Sequence, residues 1–420
     1  MKIEQNINSV IVLGSGINAL GVVRSFANKK IPVFVIDYQK DVAAYSKYCR
    51  FELCNMPNDE KNFITYLKKY LDNFQLPPVI FPTSDLYLFI LLKNTKELKE
   101  KALIPISDWE IVSKLLEKEY LYDLADKISV PHPKTKITNS INDIDSSIKD
   151  IQFPIIIKPS ITYGFASEMG DKAFILYNTI ELDILKKKLA NTSFKNKTLI
   201  IQEYIPGNVD SLYTITSYAN KESEIIGYSI GHKIRQSPPI TGTIISGKVE
   251  HIEEVFKAAK KFIKFSNFYG ISNIEFKKDI RDNSYKLIEI NPRTGLWNYS
   301  VLSCGINLPL MAYKDILGEK IQPEYNKEIK LIWLDTILDL YCSIWGFKKR
   351  GYKNDSLNLK EWYKSIKGKK IDATFNIKDI KPFLAEIYIK TLGYKKSITK
   401  SATAPCCTTL KWQKCLPRAK

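Results

Sequence analysis

LIEINPRTG, residues 287–295, sets three polar groups of different kinds into an apolar run. Leu287, Ile288 and Ile290 have strand character. Glu289, Asn291 and Arg293 follow at intervals of two. Successive side chains of a strand alternate faces, so these three share one face if the chain stays extended. The apolar flanks predict burial, and burying such groups is costly unless something pairs them. Pro292 offers no N–H, so the strand is expected to end near it. These nine residues leave two readings open: a functional site at a strand end, or a solvated sheet face.

Working outward, NIEFKKD (273–279) and YKLIEINPR (285–293) predict a hairpin around RDNS, with Glu275 and Glu289 on adjacent strands. Upstream lie predicted strands at 153–160, 173–177, 199–207, 211–219 and 224–235, and a helix over 250–265. Towards the N-terminus, SVIVLG (9–14), a helix over Ala19–Ala27 and PVFVID (32–37) form a βαβ unit. Its turn, Gly14-Ser15-Gly16 with Gly21 beyond, has the third glycine too late for the dinucleotide fingerprint. A tight turn with close helix packing is the favoured reading. PVIFPTSD (78–85) continues this region, and ALIPIS (102–107) reads as its last strand. Trp109 to about Lys127 is helical, and SVPHPKT (129–135) is an extended linker.

Residues 331–347, LIWLDTILDLYCSIWGF, predict an apolar helix interrupted by Asp335 and Asp339. Two acids disfavour seating it on anionic lipid, so packing on the protein is preferred. Residues 396–420 carry three of the seven cysteines and no acid, and are expected to be a disordered basic tail.

With 420 residues and 45% hydrophobic content, the chain can form two or three domains with real cores. No uncharged apolar stretch reaches 18 residues, and the N-terminus lacks signal-peptide features, so a cytoplasmic location is expected. Seven scattered cysteines without a C-x-x-C pair argue against a disulfide framework and a structural zinc. Only three histidines and no reactive cysteine setting argue against His or Cys nucleophilic catalysis. The net charge of +18 is spread over amphipathic segments, without the basic stripe and interleaved aromatics of a nucleic-acid binder.

Lys158 ends an apolar strand, where a lysine either snorkels or holds a phosphate. Lys118 lies on a helix, where a surface position is the plain alternative. Glu203-Tyr204 closes another strand, next to which a purine could stack. Glu275, Glu289 and Asn291 offer the hard oxygen ligands that suit Mg²⁺ bridging phosphates. Arg293, Lys233 and Arg235 are candidate cations for the remaining charge.

In that order, these segments resemble the ATP-grasp superfamily, and within it the carboxylate–amine ligases related to D-aspartate ligase, over about residues 1–320. The resemblance implies mixed α/β and α+β architecture. A Rossmann-like domain (1–108) would precede a two-lobed ATP-grasp domain (109–320, lobes meeting near 203–207). A mostly helical extension (321–395) and the tail would follow. It implies that Lys118 and Lys158 hold ATP phosphates, with Lys172 a weaker match. Glu203, Tyr204 and Ile205 would take adenine, and Asp210 the ribose. Glu275, Glu289 and Asn291 would bind Mg²⁺, with Mn²⁺ as its substitute. Arg293 would stabilise the transferring phosphoryl group, with Lys158 as its catalytic partner. The segment after Lys158 has only Gly164 and Gly170, fewer glycines than the family's loop.

The implied activity is amide formation through an acyl phosphate, with Mg-ATP converted to ADP and phosphate and a lid over 160–172 excluding water. The setting would be cell-envelope or surface-polysaccharide synthesis. Lys233, Arg235 and Gln236, together with Gly14, Gly16 and Asn18 of the first turn, are candidates for meeting substrate or phosphate. Partners are small carboxylates and amines, no specific nucleic acid, and a second copy of the chain as a further candidate. The rival expectations are an ATP-grasp carboxylase or purine-synthesis enzyme, and a Rossmann-type NAD(P) oxidoreductase.

Overall fold

The structure is a computed structural model that describes residues 7–55, 57, 59–160, 165–171, 173–239 and 242–400, with backbone only at 166, 167 and 391–400. Three sheets organise it. The first is parallel, in the order β3-β2-β1-β4, from Val10–Leu13 (β1), Val33–Asp37 (β2), Arg50–Leu53 (β3) and Val79–Pro82 (β4). Strands β1, β2 and β4 are buried throughout and apolar apart from Asp37 at the end of β2, the pattern of a parallel sheet covered on both faces. Gly14 closes β1 at φ +108°, and a Cβ there would run into the Thr83 hydroxyl. This is the tight turn read from the sequence. Residues 102–107 do not form a strand: Leu103 and Ile106 make only isolated bridges, to Val79 and Gly270.

The second sheet is antiparallel, in the order β5-β8-β6-β7. Its strands are Thr135–Thr138 (β5), Ile155–Pro159 (β6), Phe174–Leu176 (β7) and Leu199–Glu203 (β8). They enclose a small core around Ile144, Ile157, Phe165 and Leu185.

The third sheet has eight strands. Its main path is β13-β12-β9-β10-β11-β15-β16, and β14 pairs with β10. These are Leu212–Ala219 (β9), Ile225–Ser237 (β10), Thr243–Val249 (β11), Gly270–Lys278 (β12), Tyr285–Asn291 (β13), Glu324–Tyr325 (β14), Leu331–Leu334 (β15) and Lys370–Asp372 (β16). The helix Glu253–Ser266 packs Val255, Ala259, Phe262 and Ile263 into the core beneath it.

The chain departs from the sequence expectations in three further places. The pattern over 109–127 is two helices, Trp109–Leu116 and Lys118–Lys127, parted at Glu117. Residues 331–347 are not one helix. Leu331–Leu334 extends the large sheet, and the helix begins at Thr336 because the Asp335 carboxylate caps it through the Leu338 N–H (2.9 Å). Residues 396–400 belong to a helix, Lys381–Lys400, whereas 401–420 lie outside the described residues.

Candidate active site

The predicted hairpin pairs Glu275 with Glu289, and Asn273 with Asn291, across β12 and β13. One residue beyond the acid pair, the register slips: Phe276 faces Leu287, and Ile288 is the extra residue. Such a bulge re-aims side chains and leaves one residue out of the ladder. The Ile288 carbonyl is put to use, accepting from Lys118 Nζ (3.2 Å) and from the Tyr122 hydroxyl (2.9 Å). Asn291 donates its side-chain amide to Glu289 (3.2 Å), so both stand on one face of the strand. Lys118 pairs with Glu289 (3.5 Å), and Lys233 with Glu275 (3.7 Å).

Lys158, on β6 of the small sheet, faces the same space and donates to Gln202 Oε1 (3.3 Å). Gln202 donates in turn to the hydroxyls of Tyr122 and Thr135, each at 2.8 Å. A continuous polar chain therefore runs from Lys158 through Gln202 and Tyr122 to the Ile288 carbonyl and Lys118. It fixes both lysines against the acids.

These groups perturb one another. Desolvation lowers the Lys158 ammonium to about 8, with the Lys118 charge adding to the effect. Desolvation likewise raises the Glu275 carboxyl, Glu289 adding repulsion while Lys233 opposes it. Glu289 feels the same desolvation but is held down at about 2 by Lys118, Lys158, the Asn291 amide and Lys233.

Lys158, Lys233, Glu275, Glu289 and Asn291 border one cleft of about 1760 Å³ between the small and large sheets, and Lys118 stands behind Glu289. At the lobe junction its wall is apolar, with Ile156, Ile175, Tyr204 and Ile205. Tyr204 also carries Lys277 over its ring at 4.7 Å. Glu203 turns its carboxylate to protein partners: Arg281, Lys286 (3.9 Å) and the Lys134 N–H (3.1 Å). It thus ties the lobes together rather than reaching into the cleft as a free acid. Asp210 is exposed on the turn after β8 and does not border the cleft, whereas Asn208 and Val209 do.

Arg293 lies past the end of β13 and makes a forked pair with Asp85 of the helix Asp85–Lys93 (2.6 and 3.2 Å). Its carbonyl accepts from Asn273, which is itself held by Thr216 (2.8 and 2.7 Å). Asn18 borders the cleft beside it and donates to the carbonyls of Thr83 and Thr294 (2.8 and 2.7 Å). Gly14 and Gly16 shape that turn and do not border the cleft. Arg235 does border it, yet its guanidinium is committed to the buried Asp339 (2.7 and 2.6 Å). That corrects its reading as a cation available to substrate. Lys233, on the same strand, donates to Gln236 (3.3 Å) as well as pairing with Glu275. Lys172 lies outside the described residues, as do 161–164 of the expected lid, while Phe165–Met169 is helical.

The donor set suits a divalent cation that also meets phosphates. Among the described residues no three His, Cys, Asp or Glu side chains cluster to enclose a metal. Two cross-strand carboxylates and an amide oxygen leave the remaining positions to phosphate and water, as Mg²⁺ prefers. Desolvation raises Glu275 and repulsion from Glu289 adds to it, and a bound dication would offset both.

The dinucleotide alternative meets an obstacle at Asp37. The acid that would hold a ribose there instead accepts from Ser15 (2.7 Å), Tyr87 (2.7 Å) and the Tyr38 N–H (2.8 Å).

A family model described as ATP-grasp in the biosynthetic pathway with Ter operon matches residues 195–337. The chain is 26% identical over 326 residues to the D-aspartate ligase of Enterococcus faecium (strain Aus0004), covering 74% of this chain and 77% of that one. A match to the carbamoyl phosphate synthase large chain of Methanobrevibacter smithii is 25% identical over 193 residues, 44% of this chain but 18% of that protein. Among solved structures, an N5-carboxyaminoimidazole ribonucleotide synthetase in complex with ADP superposes with a TM-score of 0.59 at 14% identity. That superposition covers 79% of this chain and 82% of the other.

Proposed function

We propose that this chain, which carries an ATP-grasp domain, is an ATP-dependent carboxylate–amine ligase. The observation that carries the proposal is the cross-strand pair Glu275 and Glu289 with Asn291, beside Lys158 and Lys233 in a cleft whose far end is apolar, with Lys118 paired to Glu289. A purine fits the apolar end beside Tyr204 and Ile205, and the triphosphate fits the lysines.

In the proposed reaction a substrate carboxylate oxygen attacks the γ-phosphorus of ATP, and the bond to ADP breaks. An amine nitrogen then attacks the acyl carbon of the mixed anhydride, phosphate leaves, and the amine gives up its proton. Positioning and charge stabilisation dominate such phosphoryl transfer, so no side chain need act as nucleophile. Mg²⁺, or Mn²⁺, held by Glu275, Glu289 and Asn291 would neutralise charge on the phosphates. Lys158 and Lys118 bind the triphosphate, and Arg293 orients the carboxylate and the phosphoryl group. The helix Phe165–Met169 beside β6 belongs to the element that would exclude water from the anhydride. We place the reaction in the cytoplasm, with an amino acid joined to a component of the cell envelope or of a surface polysaccharide. The likeness to D-aspartate ligase supports an amino acid as one of the substrates. The second reading, an ATP-grasp carboxylase or purine-type enzyme, differs only in the acid activated.

Calorimetric titration of Mg-ATP into the wild type and Glu289→Ala, with magnesium-free controls, tests the site. We expect magnesium-dependent binding that the substitution abolishes, followed by ADP release on adding the correct acid and amine. Absence of ATP binding, or binding indifferent to Glu289, would refute the proposal. Release of ADP with bicarbonate as the acid would favour the second reading.

A further inference from the structure

The cleft does not end at Arg293. Across the large sheet its border passes from the acids of β12 and β13 to Lys233 of β10, and then to the segment after β15. There Lys348, Lys349 and Lys353 border it, with Tyr352 and one acid, Asp355. The nucleotide as proposed occupies the β12–β13 side, next to the lobe junction. The lysine segment lies on the side of β10, β11 and β15, beyond the reacting centre.

This segment is built as well as charged. Within Lys348-Lys349-Arg350 the arginine is structural: Arg350 donates to the Gly346 carbonyl (3.1 Å), to the Ser237 hydroxyl at the end of β10 (3.1 Å) and to Cys342 Sγ (3.3 Å). Its guanidinium also lies over the Phe347 ring at 5.5 Å. The backbone then closes on itself, Gly351 N–H to the Lys348 carbonyl (3.2 Å) and Tyr352 N–H to the Phe347 carbonyl (2.9 Å). Gly351, at φ +90°, makes that reversal available. Arg350 is thus spent on fastening the segment to β10, while Lys348 and Lys353 are exposed at the border of the cleft. The five-residue π-helical turn Cys342–Gly346 that precedes it is the kind of irregularity often found at functional sites.

A cleft of about 1760 Å³ exceeds the roughly 300–1,000 Å³ usual for one small ligand. It has room for a second substrate larger than a free amino acid. We infer that the segment 347–355 is an anion subsite that selects a second substrate bearing a phosphate or carboxylate group remote from the reacting atoms, a reading that rests on the ligase proposal above. Lysines suit such a role, as flexible point charges that meet either anion.

The test fills the nucleotide end with a non-hydrolysable Mg-ATP analogue. Succinate and, separately, phenyl phosphate are then titrated by calorimetry into the wild type, Lys348→Glu/Lys353→Glu and Lys348→Gln/Lys353→Gln. A charge control, Lys257→Glu/Lys261→Glu, alters exposed lysines of the helix Glu253–Ser266, none of whose residues borders the cleft. We expect the analogue to bind all four proteins alike. At least one anion should lose tenfold or more in affinity in the glutamate variant, less in the glutamine variant and little in the control. The anion that responds says whether phosphate or carboxylate is read. No anion binding to the wild type, or equal losses in the control, overturns the subsite. Failure of the analogue to bind the wild type would instead defeat the ligase reading itself.

Discussion

Arg293 is held from both sides, its guanidinium by Asp85 and its carbonyl by Asn273, so the side chain is aimed before any ligand arrives. A pre-aimed donor costs no reorganisation when charge develops on a transferring group. Arg293→Ala should therefore slow turnover by about 100-fold or more while leaving Mg-ATP affinity little changed. Initial rates of ADP release beside a calorimetric ATP titration separate the two effects. Loss of ATP affinity with unchanged turnover would assign Arg293 to ground-state nucleotide binding instead. Among single residues, the charged groups that meet at the cleft, Lys158, Lys233, Glu275 and Glu289, stood out because a charge is conspicuous in an apolar run. Tyr122, Gln202 and the Ile288 carbonyl were not: two neutral side chains reveal no role, and a bulge shows only once two strands are in register. Gln202 inside the apolar run LIIQE was the one available signal. Glu203 and Arg235 show the converse. Both bear the right charge, and both are consumed by internal pairs that only tertiary structure creates.

At the scale of elements, local pattern served where pairing is local and failed where it is not. The β12–β13 hairpin and the βαβ unit join neighbours in sequence, and both were readable from alternation and turn residues. Strand β15 pairs with β11 and β16, each more than 35 residues away, so Leu331–Leu334 looked like the first turn of an apolar helix. The boundary residue Asp335 is a helix cap, and a capping acid after an apolar run is the signal that could have divided the segment. Asp335 has a second consequence. It is buried beside Glu386, paired with Lys390 (2.9 Å), and Glu386 also binds Lys390 and the Thr374 hydroxyl, with Asp372 on the far side of Thr374. Desolvation, with the Glu386 charge adding to it, raises the Asp335 carboxyl to about 7 against Lys390. An acid whose folded value lies above its unfolded one (about 3.9) favours the fold when protonated. Its contribution is complete below about pH 4 and is lost as pH rises through about 7. Melting temperatures at pH 5 and 8 should show the wild type losing stability across that window and Asp335→Asn losing less. Equal slopes would mean that Asp335 does not titrate there.

At the scale of the whole molecule, the residues after β16 return to the first domain. Arg24, on the first helix of the βαβ unit, is buried and donates to Asp379 (3.2 Å) and to the carbonyls of Thr374 (2.6 Å) and Asp379 (3.2 Å). Asp379 also accepts from the Ser46 hydroxyl (2.9 Å) and the Lys47 N–H (3.0 Å). Residues more than 350 apart in sequence are therefore joined by a buried charge pair with nearly every lone pair and proton used. Together with β15 and β16 in the large sheet, this makes the C-terminal residues part of the body that holds the cleft. The lysines at 348–353 then have a fixed relation to Glu275 and Glu289. Removing one partner of such a pair leaves the other charge buried and unpaired, at a cost of about 3–5 kcal/mol. Asp379→Ala should lower stability by about that amount, because Arg24 loses its counter-charge and cannot reach water. Arg24→Met/Asp379→Leu, which removes both charges and keeps the volume, should recover much of the loss, since replacing a buried pair by apolar groups is often neutral. Denaturant melts of the three proteins measure this directly. If Asp379→Ala costs less than about 1 kcal/mol, the range of an exposed pair, the junction opens to solvent and the C-terminal residues move independently of the first domain.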